Sequence, residues 1–387
     1  MLECIHRLQR RKFSMTTRRQ FLQTSALIPL LTACGVTANG GAANYSPSGV
    51  PLRRVQVSEE RVIRTIAGLR PFRRSGFKVG AEPFGDKLVI HNYGHGGGGI
   101  TLSPGTSYLA AELASQTDYK RCAVIGAGAV GLATARLMQS RGWDVQIYTR
   151  DLPPNTTSNV AGGQWSPTSV YDEPYLTPEF EAQFDAAQRF AYRYYQDLVG
   201  PKYGVSWISN YQTHTSYPDP DSIRNSYADL YPQLEVQGPG EHPFPVPYVR
   251  HFDSMLIEPA IYLPQMLEDF YTAGGRVTIS NFQDRDHLLT VAEPVIFNCT
   301  GLGARTLFDD EELIPIKGQL TFLLPQREVN YMIIGNGGLY MFPRQDGILL
   351  GGTFERNNWS TEPDPEATTR IINGHRDFFN AMDDPWA

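Results

Sequence analysis

The chain has 387 residues, of which 41% are hydrophobic and 19% charged, a composition typical of a globular protein. Its length allows roughly two domains. The formal net charge of −6 argues against a nucleic-acid-binding protein, because such proteins usually present a basic patch. None of the four cysteines, at positions 4, 34, 122 and 299, has the spacing of a metal site, so no zinc or iron–sulfur centre is expected.

Residues 1–34 are interpreted as a targeting segment. The Arg18-Arg19 pair precedes the apolar run Ala26–Leu31, which is too short to span a bilayer and is typical of a signal sequence. This order resembles a twin-arginine export signal, and the residues around Cys34 resemble the lipobox of bacterial lipoproteins. We therefore expect export across the inner membrane and lipid anchoring through Cys34 at the membrane, facing the periplasm. Residues 35–51 are expected to be a flexible tether, and the start codon, Met1 or Met15, stays open.

A dinucleotide-binding unit is predicted after residue 120. The buried-strand pattern Cys122–Ile125 leads into a GxGxxG motif, followed by a helix pattern at Leu132–Met138 and a second strand pattern at Asp144–Thr149. In this context the glycines permit a tight turn, a close approach of the backbone to a pyrophosphate, and close packing of helix on strand. The predicted cofactor contacts in the motif are Gly126, Gly128, Ala129, Val130 and Gly131.

The second strand of this unit leaves the type of dinucleotide open. It ends in Arg150-Asp151, without a clear acidic residue at its tip to hold the ribose hydroxyls. Asp151 is one place late, and Arg150 is compatible with a 2′-phosphate and hence NADP.

Further segments carry a resemblance to a known family. The blocks with the highest specificity read AGLRPFR and HNYGHGG, and the other segments follow the GxGxxG unit. The matching segments are Ala67–Arg73, Val89–Gly97, Asn155–Pro167, Val295–Gly301, Tyr340–Arg344, Gly351–Phe354 and Asn358-Trp359. Together they are similar to the D-amino-acid oxidases, which implies FAD as the cofactor and a D-amino acid and oxygen as the substrates.

The order of these segments is unusual. In the family, the AGLRP and HNYGHGG blocks lie near the C-terminus, whereas here they precede the GxGxxG unit. The resemblance therefore implies a circularly permuted chain, in which residues 52–114 correspond to the family's C-terminal end and residues 115–120 form the new joint. Permutation is tolerated where the ends of a fold lie close together.

The resemblance also implies the fold class, α/β. A Rossmann-like, doubly wound FAD-binding sheet is expected from residues 52–167 and 252–310. A second, mostly antiparallel α+β substrate-binding domain is expected from residues 168–251 and 311–387. Its predicted strands are 320–324, 332–334, 339–342 and 348–351, and residues 364–381 form an amphipathic helix pattern.

In the family, an arginine binds the substrate carboxylate and a tyrosine hydroxyl also contacts it. The positions that match are Arg70 and Tyr340, which are the expected catalytic and substrate-binding residues, together with Gln164 and Gly97 in the substrate pocket. Arginine suits this task because its planar fork binds a carboxylate bidentately. The remaining expected cofactor contacts are Arg70, His95, Gly96, Gly97, Gly98, Gly99, Ile100, Thr101, Thr156, Thr157, Ser158, Gly162, Gly163, Gln164, Thr300 and Gly301.

The chemistry expected of this site is hydride transfer from the substrate Cα to the flavin, which needs no side-chain base. His95 is therefore expected to shape the glycine-rich turn, whose backbone N–H groups would face the flavin, and a helix is expected to start near Ser103 or Pro104. Gln164 stands where a leucine is frequent, which predicts a more polar pocket. Because no second arginine has a clear place for a side-chain carboxylate, neutral D-amino acids are the expected substrates.

Two alternatives stay open. The first is a dehydrogenase that passes electrons to a quinone or another acceptor instead of oxygen. The second is a lipid-anchored binding protein without turnover, against which the presence of both Arg70 and Tyr340 argues. The sequence does not determine the preferred side chain or the oligomeric state.

Overall fold

The computed structural model describes residues 51–219 and 228–383, all of which belong to one compact unit. The predicted export signal, with Arg18, Arg19 and Cys34, and almost all of the predicted tether lie outside the described residues. Within these two ranges, no helix combines the length and the apolar composition that a membrane crossing requires.

The described ranges contain six α-helices and fifteen β-strands, numbered here in chain order. The helices are α1 Gly99–Ala114, α2 Ala129–Ser140, α3 Pro178–Asp197, α4 Pro259–Thr272, α5 Ala304–Leu307 and α6 Pro365–Asn380. The strands are β1 Val62–Phe72, β2 Lys78–Phe84, β3 Lys87–Tyr93, β4 Arg121–Ile125, β5 Asp144–Thr149, β6 Val205–His214, β7 Glu235–Gln237, β8 Tyr248–Ile257, β9 Arg276–Ile279, β10 Val295–Asn298, β11 Ile314–Leu323, β12 Tyr331–Ile334, β13 Tyr340–Arg344, β14 Gly347–Gly351 and β15 Glu355–Arg356.

A six-stranded sheet has the order β2-β3-β10-β4-β5-β9. All neighbouring strands are parallel except β2, which is antiparallel to β3 at the edge. The central strands are buried on both faces, and α1, α2 and α4 pack on one side. The strand, glycine motif, helix and strand predicted between residues 122 and 149 are confirmed as β4, α2 and β5.

A nine-stranded sheet forms the second layer, in the order β1-β11-β14-β13-β12-β6-β8-β7, with β15 paired to β11. It is antiparallel except between β6 and β12. The four strands predicted between residues 320 and 351 are confirmed as β11 to β14, with β11 starting earlier, at Ile314, and the predicted final helix is confirmed as α6. The expected fold class, α/β with a second, mostly antiparallel sheet, is therefore confirmed.

The two sheets divide the chain differently from the predicted domains. Strand β1 was assigned with residues 52–167 to the FAD-binding domain, but it pairs with β11 in the nine-stranded sheet, with Arg70 opposite Ile316. Strand β8 crosses the predicted boundary at residue 252 and pairs with β6. The predicted domain bounds thus do not follow sheet membership at these two strands, because strands of either sheet have similar apolar patterns and only the pairing register distinguishes them.

The two ends of the described chain are neighbours. The Nη2 of Arg54 donates to the carbonyl oxygen of Met382 at 2.8 Å, and the Tyr331 hydroxyl donates to the carbonyl oxygen of Arg53 at 2.8 Å. Leu52 and Met382 are buried in the same apolar cluster. The start and the end of the folded chain are thus joined by packing and hydrogen bonds.

Candidate active site

A cleft of about 1370 Å³ lies between the two sheets. It runs from the carboxyl ends of β4, β5 and β10, where dinucleotides bind in open α/β sheets, to one face of the nine-stranded sheet. The expected site residues that line it are Arg70, His95, Gly96, Gly97, Gly99, Ile100, Gly126, Gly128, Ala129, Val130, Thr156, Thr157, Ser158, Gly162, Gly163, Gln164, Thr300, Gly301 and Tyr340. The cleft exceeds the usual volume of a small-molecule site, about 300–1,000 Å³, which fits an extended dinucleotide plus a substrate.

The turn between β4 and α2 is a cradle that only small residues can form. Gly126 has φ +107°, and a Cβ at this position would lie 2.6 Å from the carbonyl oxygen of Cys299. A Cβ at Gly131 would collide with the carbonyl oxygen of Gly126, so this glycine permits the close contact of helix and strand. The N–H of Ala129, in the first turn of α2, donates to Ser158 Oγ at 3.0 Å. This helix N-terminus faces the cleft, as a site for a pyrophosphate requires.

Three expected cofactor contacts do not line the cleft. Gly131 lies behind the cradle, and Gly98 lies against Val170. The buried Thr101 accepts from the N–H of Ser166 at 3.0 Å, so it positions the segment that carries Gln164. We therefore assign these three residues to packing around the site.

The glycine-rich turn differs in detail from the expectation. The N–H of Gly97 donates to the carbonyl oxygen of Ser169 at 2.9 Å, and the N–H of Gly98 to that of His95, also at 2.9 Å. These two N–H groups are satisfied within the protein, so they do not face a flavin as expected.

Helix α1 starts at Gly99, four or five residues before the predicted start. Pro104 lies inside the helix and has no N–H to donate to the carbonyl oxygen of Ile100. The hydroxyl of Tyr195 donates to that oxygen at 2.6 Å, and Ser103 Oγ donates to it at 3.1 Å. A tertiary contact therefore lets the helix continue through a residue that normally marks a helix start.

The two histidines near the turn are structural. His95 Nε2 lies 2.8 Å from Thr106 Oγ1, and burial lowers the pKa of His95 to about 3. His91 does not line the cleft, and burial lowers its pKa to about 4. Both rings are neutral near pH 7, which fits a site without a histidine acid or base.

Arg70 projects from β1 into the cleft and is partly buried. Its guanidinium lies over Gly318 of β11, where a Cβ would be 2.6 Å from Cζ. Its Cζ is 5.9 Å from the centre of the Phe354 ring, which is half exposed. Among the described residues, Arg70 Nη1 is buried and has no hydrogen-bond partner. A buried unpartnered donor on a permanent cation is costly, so the geometry fits an anionic ligand group at this point.

Tyr340 lies on the same face of the nine-stranded sheet. It is directly opposite Gly351 of β14, and its ring fills the space that a side chain there would need. The backbone carbonyl of Tyr340 is 3.1 Å from Nε2 of the buried His375 in α6. The position of Tyr340 is thus fixed by the absence of a side chain at Gly351 and by the hydrogen bond between its carbonyl oxygen and His375.

The cleft is polar beyond Tyr340. Gln164 Nε2 donates to Oδ1 of the buried Asn210 at 2.6 Å. Arg250 of β8 also lines the cleft, and its Nη1 donates to Gln212 Oε1 at 3.2 Å. Arg250 and Gln212 were missed by sequence reasoning because neither lies in a segment with the family resemblance. Arg250 is thus a second arginine in the cleft, and the expectation of neutral substrates stays a prediction.

The opposite end of the cleft carries the residues that left the dinucleotide type open. Arg150 and Asp151 both line it, and Arg150 Nε is 2.7 Å from Asp151 Oδ2. The arginine is thus adjacent to a carboxylate of its own chain, and both side chains are accessible to solvent.

The glycine cradle at one end of the cleft fits a dinucleotide, and the buried, unpartnered donor of Arg70 at the other end fits a small anion. These are the two parts expected of a dinucleotide-dependent enzyme. The sequence model of the family described as "FAD dependent oxidoreductase" matches residues 42–113 and 121–387. The chain belongs to this family, so its cofactor is FAD and the open choice of dinucleotide is resolved.

Individual relatives give the same picture. The chain is 32% identical to a D-amino-acid oxidase of Streptomyces coelicolor over 273 residues, which cover 68% of this chain and 79% of the relative. It is 28% identical to a D-aspartate oxidase of Homo sapiens over 262 residues, 66% of this chain and 74% of the relative. Among solved structures, it resembles an L-proline dehydrogenase from P. horikoshii with a TM-score of 0.50 at 16% identity, covering 68% of this chain and 78% of that chain. This last likeness concerns the fold alone.

Proposed function

We propose that this enzyme oxidises a D-amino acid with FAD, giving an imino acid, which hydrolyses to a 2-oxo acid and ammonia. The observation that carries the proposal is the buried, unpartnered Nη1 of Arg70 in the cleft that also contains the glycine cradle. A substrate carboxylate supplies the acceptor that this nitrogen lacks. The D-amino-acid oxidase relatives support the substrate class.

Bound FAD supplies the acceptor for the hydride that leaves the substrate Cα. The chain contributes binding and orientation. Arg70 holds the substrate carboxylate, and Tyr340, on the same face of the sheet, donates a second hydrogen bond to it. Fixing one end of a small molecule at two points limits the orientations of its Cα–H bond. His95 is the histidine that lines the cleft in the part of the chain that the structure describes, and with a pKa of about 3 it is too weak a base to take a proton from the substrate amine. The amine must therefore lose its proton to solvent before the reaction.

We further propose that oxygen is the electron acceptor, which yields one hydrogen peroxide per substrate molecule. The alternative is a dehydrogenase with a quinone or another acceptor. Peroxide formed per D-amino acid consumed, measured in air with the purified enzyme, separates the two. A ratio near one supports the oxidase, and turnover that needs an added quinone would overturn it.

We also propose that the chain is circularly permuted relative to its relatives. The family match falls into two blocks that stop at residue 113 and resume at 121, around the predicted joint 115–120. The contact between Arg54 and Met382 supports the proposal, because the original connection between these ends would have been short.

Finally, we propose that the enzyme is exported through its Arg18-Arg19 signal and anchored at the bacterial membrane by acylated Cys34, facing the periplasm. The proposal rests on the sequence pattern alone. The Cys34→Ala variant should be exported, active and free of the membrane. Replacing Arg18 and Arg19 by lysines should leave folded enzyme in the cytoplasm. Membrane association of Cys34→Ala, or normal export of the double-lysine variant, would overturn the corresponding half of the proposal.

A further inference from the structure

Two arginines lie on the same face of the nine-stranded sheet. Ile316 of β11 is directly opposite Arg70 of β1 on one side and Arg356 of β15 on the other. Residues that are directly opposite on neighbouring strands share a face of the sheet. Neighbouring strands are about 4.8 Å apart, so two spacings separate the Cα atoms of the two arginines by about 10 Å. Arg356 is therefore a second cation close to the arginine of the proposed carboxylate site.

The Arg356 side chain is fixed by a carboxylate from outside the sheet. Its Nη2 donates to Asp172 Oδ1 at 2.7 Å and its Nη1 to Asp172 Oδ2 at 3.0 Å, so the pair is bidentate. Bidentate pairing fixes the orientation of a guanidinium as well as its position. The two side chains are 37% and 27% exposed, and Arg74 Nε lies 4.0 Å from Asp172 Oδ2. Because both Nη atoms of Arg356 are paired with Asp172, this charge does not compete with Arg70 for the substrate carboxylate.

Aromatic rings connect the two arginines. The Cζ of Arg356 is 4.6 Å from the centre of the buried Phe72 ring and 5.8 Å from the centre of the Phe354 ring. The Cζ of Arg70 is 5.9 Å from the centre of the same Phe354 ring. A guanidinium within about 6 Å of a ring centre is attracted to the ring. We call these four residues the cation–aromatic stack, in which the contacts run in the order Phe72, Arg356, Phe354, Arg70.

Phe354 is the member of the stack that connects Arg356 to the cleft. Its ring lines the cleft and is half exposed, whereas Phe72 is completely buried. A half-exposed ring has few packing contacts, so its orientation depends strongly on the neighbours that it has. One of these neighbours, Arg356, has a fixed position. A Phe354 ring held in this way limits the movement of the Arg70 guanidinium on its other contact.

We propose that Arg356 is a positioning residue of the active site. Fixed by Asp172, it holds the Phe354 ring beside Arg70, and the ring keeps the Arg70 guanidinium where it meets the substrate carboxylate. Arg356 does not touch the substrate. The inference rests on the proposed function, in which Arg70 binds that carboxylate, and adds the residues that hold the arginine in place.

The first test is Arg356→Gln, which removes the charge from the stack. Arg70 binds the carboxylate before and during the reaction alike, so its displacement should raise KM and leave kcat nearly unchanged. For the D-amino acid that the wild-type enzyme oxidises fastest, we expect KM to rise about 3- to 10-fold. The matched control is Arg141→Gln, which should leave KM unchanged. Arg141 also pairs with a carboxylate, Glu112, and lies over an aromatic ring, Tyr108, but outside the cleft.

A double-mutant cycle separates positioning from a general effect on the fold. If Arg356 acts on Arg70 through the ring, Phe354→Leu should raise KM by itself, and adding Arg356→Gln should change KM little further. Two substitutions that act independently would instead multiply their effects. Arg356→Lys keeps a charge for Asp172 and should recover part of the loss. Asp172→Asn should raise KM, because it leaves Arg356 without its carboxylate.

A binding measurement keeps the inference testable if a variant is poorly active. Propanoate and propanamide have similar shapes but differ in charge, and the binding of either can be followed by its effect on the flavin spectrum. Arg356→Gln should weaken propanoate binding by about the same factor as KM and leave propanamide binding unchanged. Flavin content and the unfolding temperature show whether each variant is folded.

The outcomes distinguish this inference from the proposed function. The positioning role is overturned if Arg356→Gln leaves KM and propanoate binding unchanged, or if its effect multiplies with that of Phe354→Leu. It is also overturned if Asp172→Asn lowers KM, because Arg356 would then attract the substrate itself. In each of these cases the D-amino-acid oxidation stands. If no D-amino acid reduces the flavin of the wild-type enzyme, the proposed function fails, and the positioning role fails with it.

Discussion

The guanidinium of Arg70 occupies the space above Gly318 on the neighbouring strand, where a Cβ would lie 2.6 Å from Cζ. The two residues lie on β1 and β11, which pair antiparallel over most of their length. Because Gly318 has no side chain, the Arg70 guanidinium can lie directly against β11 at this position. The charge of Arg70 is thus positioned by Gly318 as well as by its own strand.

This relationship predicts the effect of Gly318→Ala. The new methyl group should displace the Arg70 guanidinium, and small displacements of a positioning group can cost about 100-fold in rate. We expect kcat/KM for D-amino acids to fall by about 10- to 100-fold. Since the far end of a flexible side chain can move aside, the unfolding temperature should change little. The control is Gly80→Ala on β2, where a Cβ would meet nothing within 4 Å. Equal activity of the two variants would contradict this role of Gly318.

Loss of the Arg70 charge should lower kcat/KM more than loss of the Tyr340 hydroxyl. Arg70→Leu removes one member of a buried charge pair, which costs about 2–5 kcal/mol. That range corresponds to a fall in kcat/KM of about 30- to 5,000-fold. Tyr340→Phe deletes one hydrogen bond, and the expected loss is about 0.5–3 kcal/mol.

Flavin binding should survive in Arg70→Leu, because the glycine cradle lies at the other end of the cleft. The measurements are steady-state kinetics and the ratio of flavin to protein. An Arg70→Leu variant that stays yellow and turns over at the wild-type rate would show that the carboxylate is bound elsewhere.

The proposed permutation predicts that the family order of the chain also folds. A gene cut within residues 115–120, with the present ends at residues 52 and 383 joined by a linker of roughly ten residues, should give a yellow, active protein. The physical reason is that the contact between Arg54 and Met382 holds the two ends close together, so a short linker can bridge them. Flavin content and activity are the measurements. Aggregated or flavin-free protein, compared with the present order expressed in parallel, would count against the permutation.

Burial of His95 predicts a loss of stability in acid. Its folded pKa is about 3, whereas the unfolded side chain titrates near 6.5. Between these values the unfolded state binds a proton that the folded state does not, so the free energy of unfolding falls as the pH is lowered from 6.5 towards 3. One such proton changes the slope by up to about 1.4 kcal/mol per pH unit. His95→Gln should lack this contribution, and His91 titrates alike in both proteins. Parallel plots of unfolding free energy against pH for the two proteins would refute the assignment.

Features formed by contiguous residues could be predicted from the sequence, whereas features that depend on contacts between distant residues could not. The cradle Gly126–Gly131 was predictable because its strand, turn and helix are contiguous. Arg70 and Tyr340 were found by resemblance to a family and not by periodicity. The start of α1 was missed because Tyr195, 95 residues away, supplies a hydrogen bond to the carbonyl oxygen that Pro104 leaves free.

The place of Arg250 in the cleft was likewise not predictable from local sequence patterns. Its position beside Gln212 depends on the register of β6 and β8, and the connection to Tyr340 depends on two further pairings. No local pattern in the sequence contains this information, because the paired strands are spread over more than a hundred positions. The position of Arg250 in the cleft thus depends on strand pairing, whereas the glycine cradle depends on a contiguous motif.

The central claim is that Arg70 and the glycine cradle belong to an enzyme that transfers electrons from a D-amino acid to its flavin. The most direct measurement is the absorbance of the bound flavin when single amino acids are added without oxygen. Our account predicts that D-amino acids bleach the flavin and that their L enantiomers do not. A flavin that no D-amino acid bleaches, or that L enantiomers bleach equally fast, would contradict it.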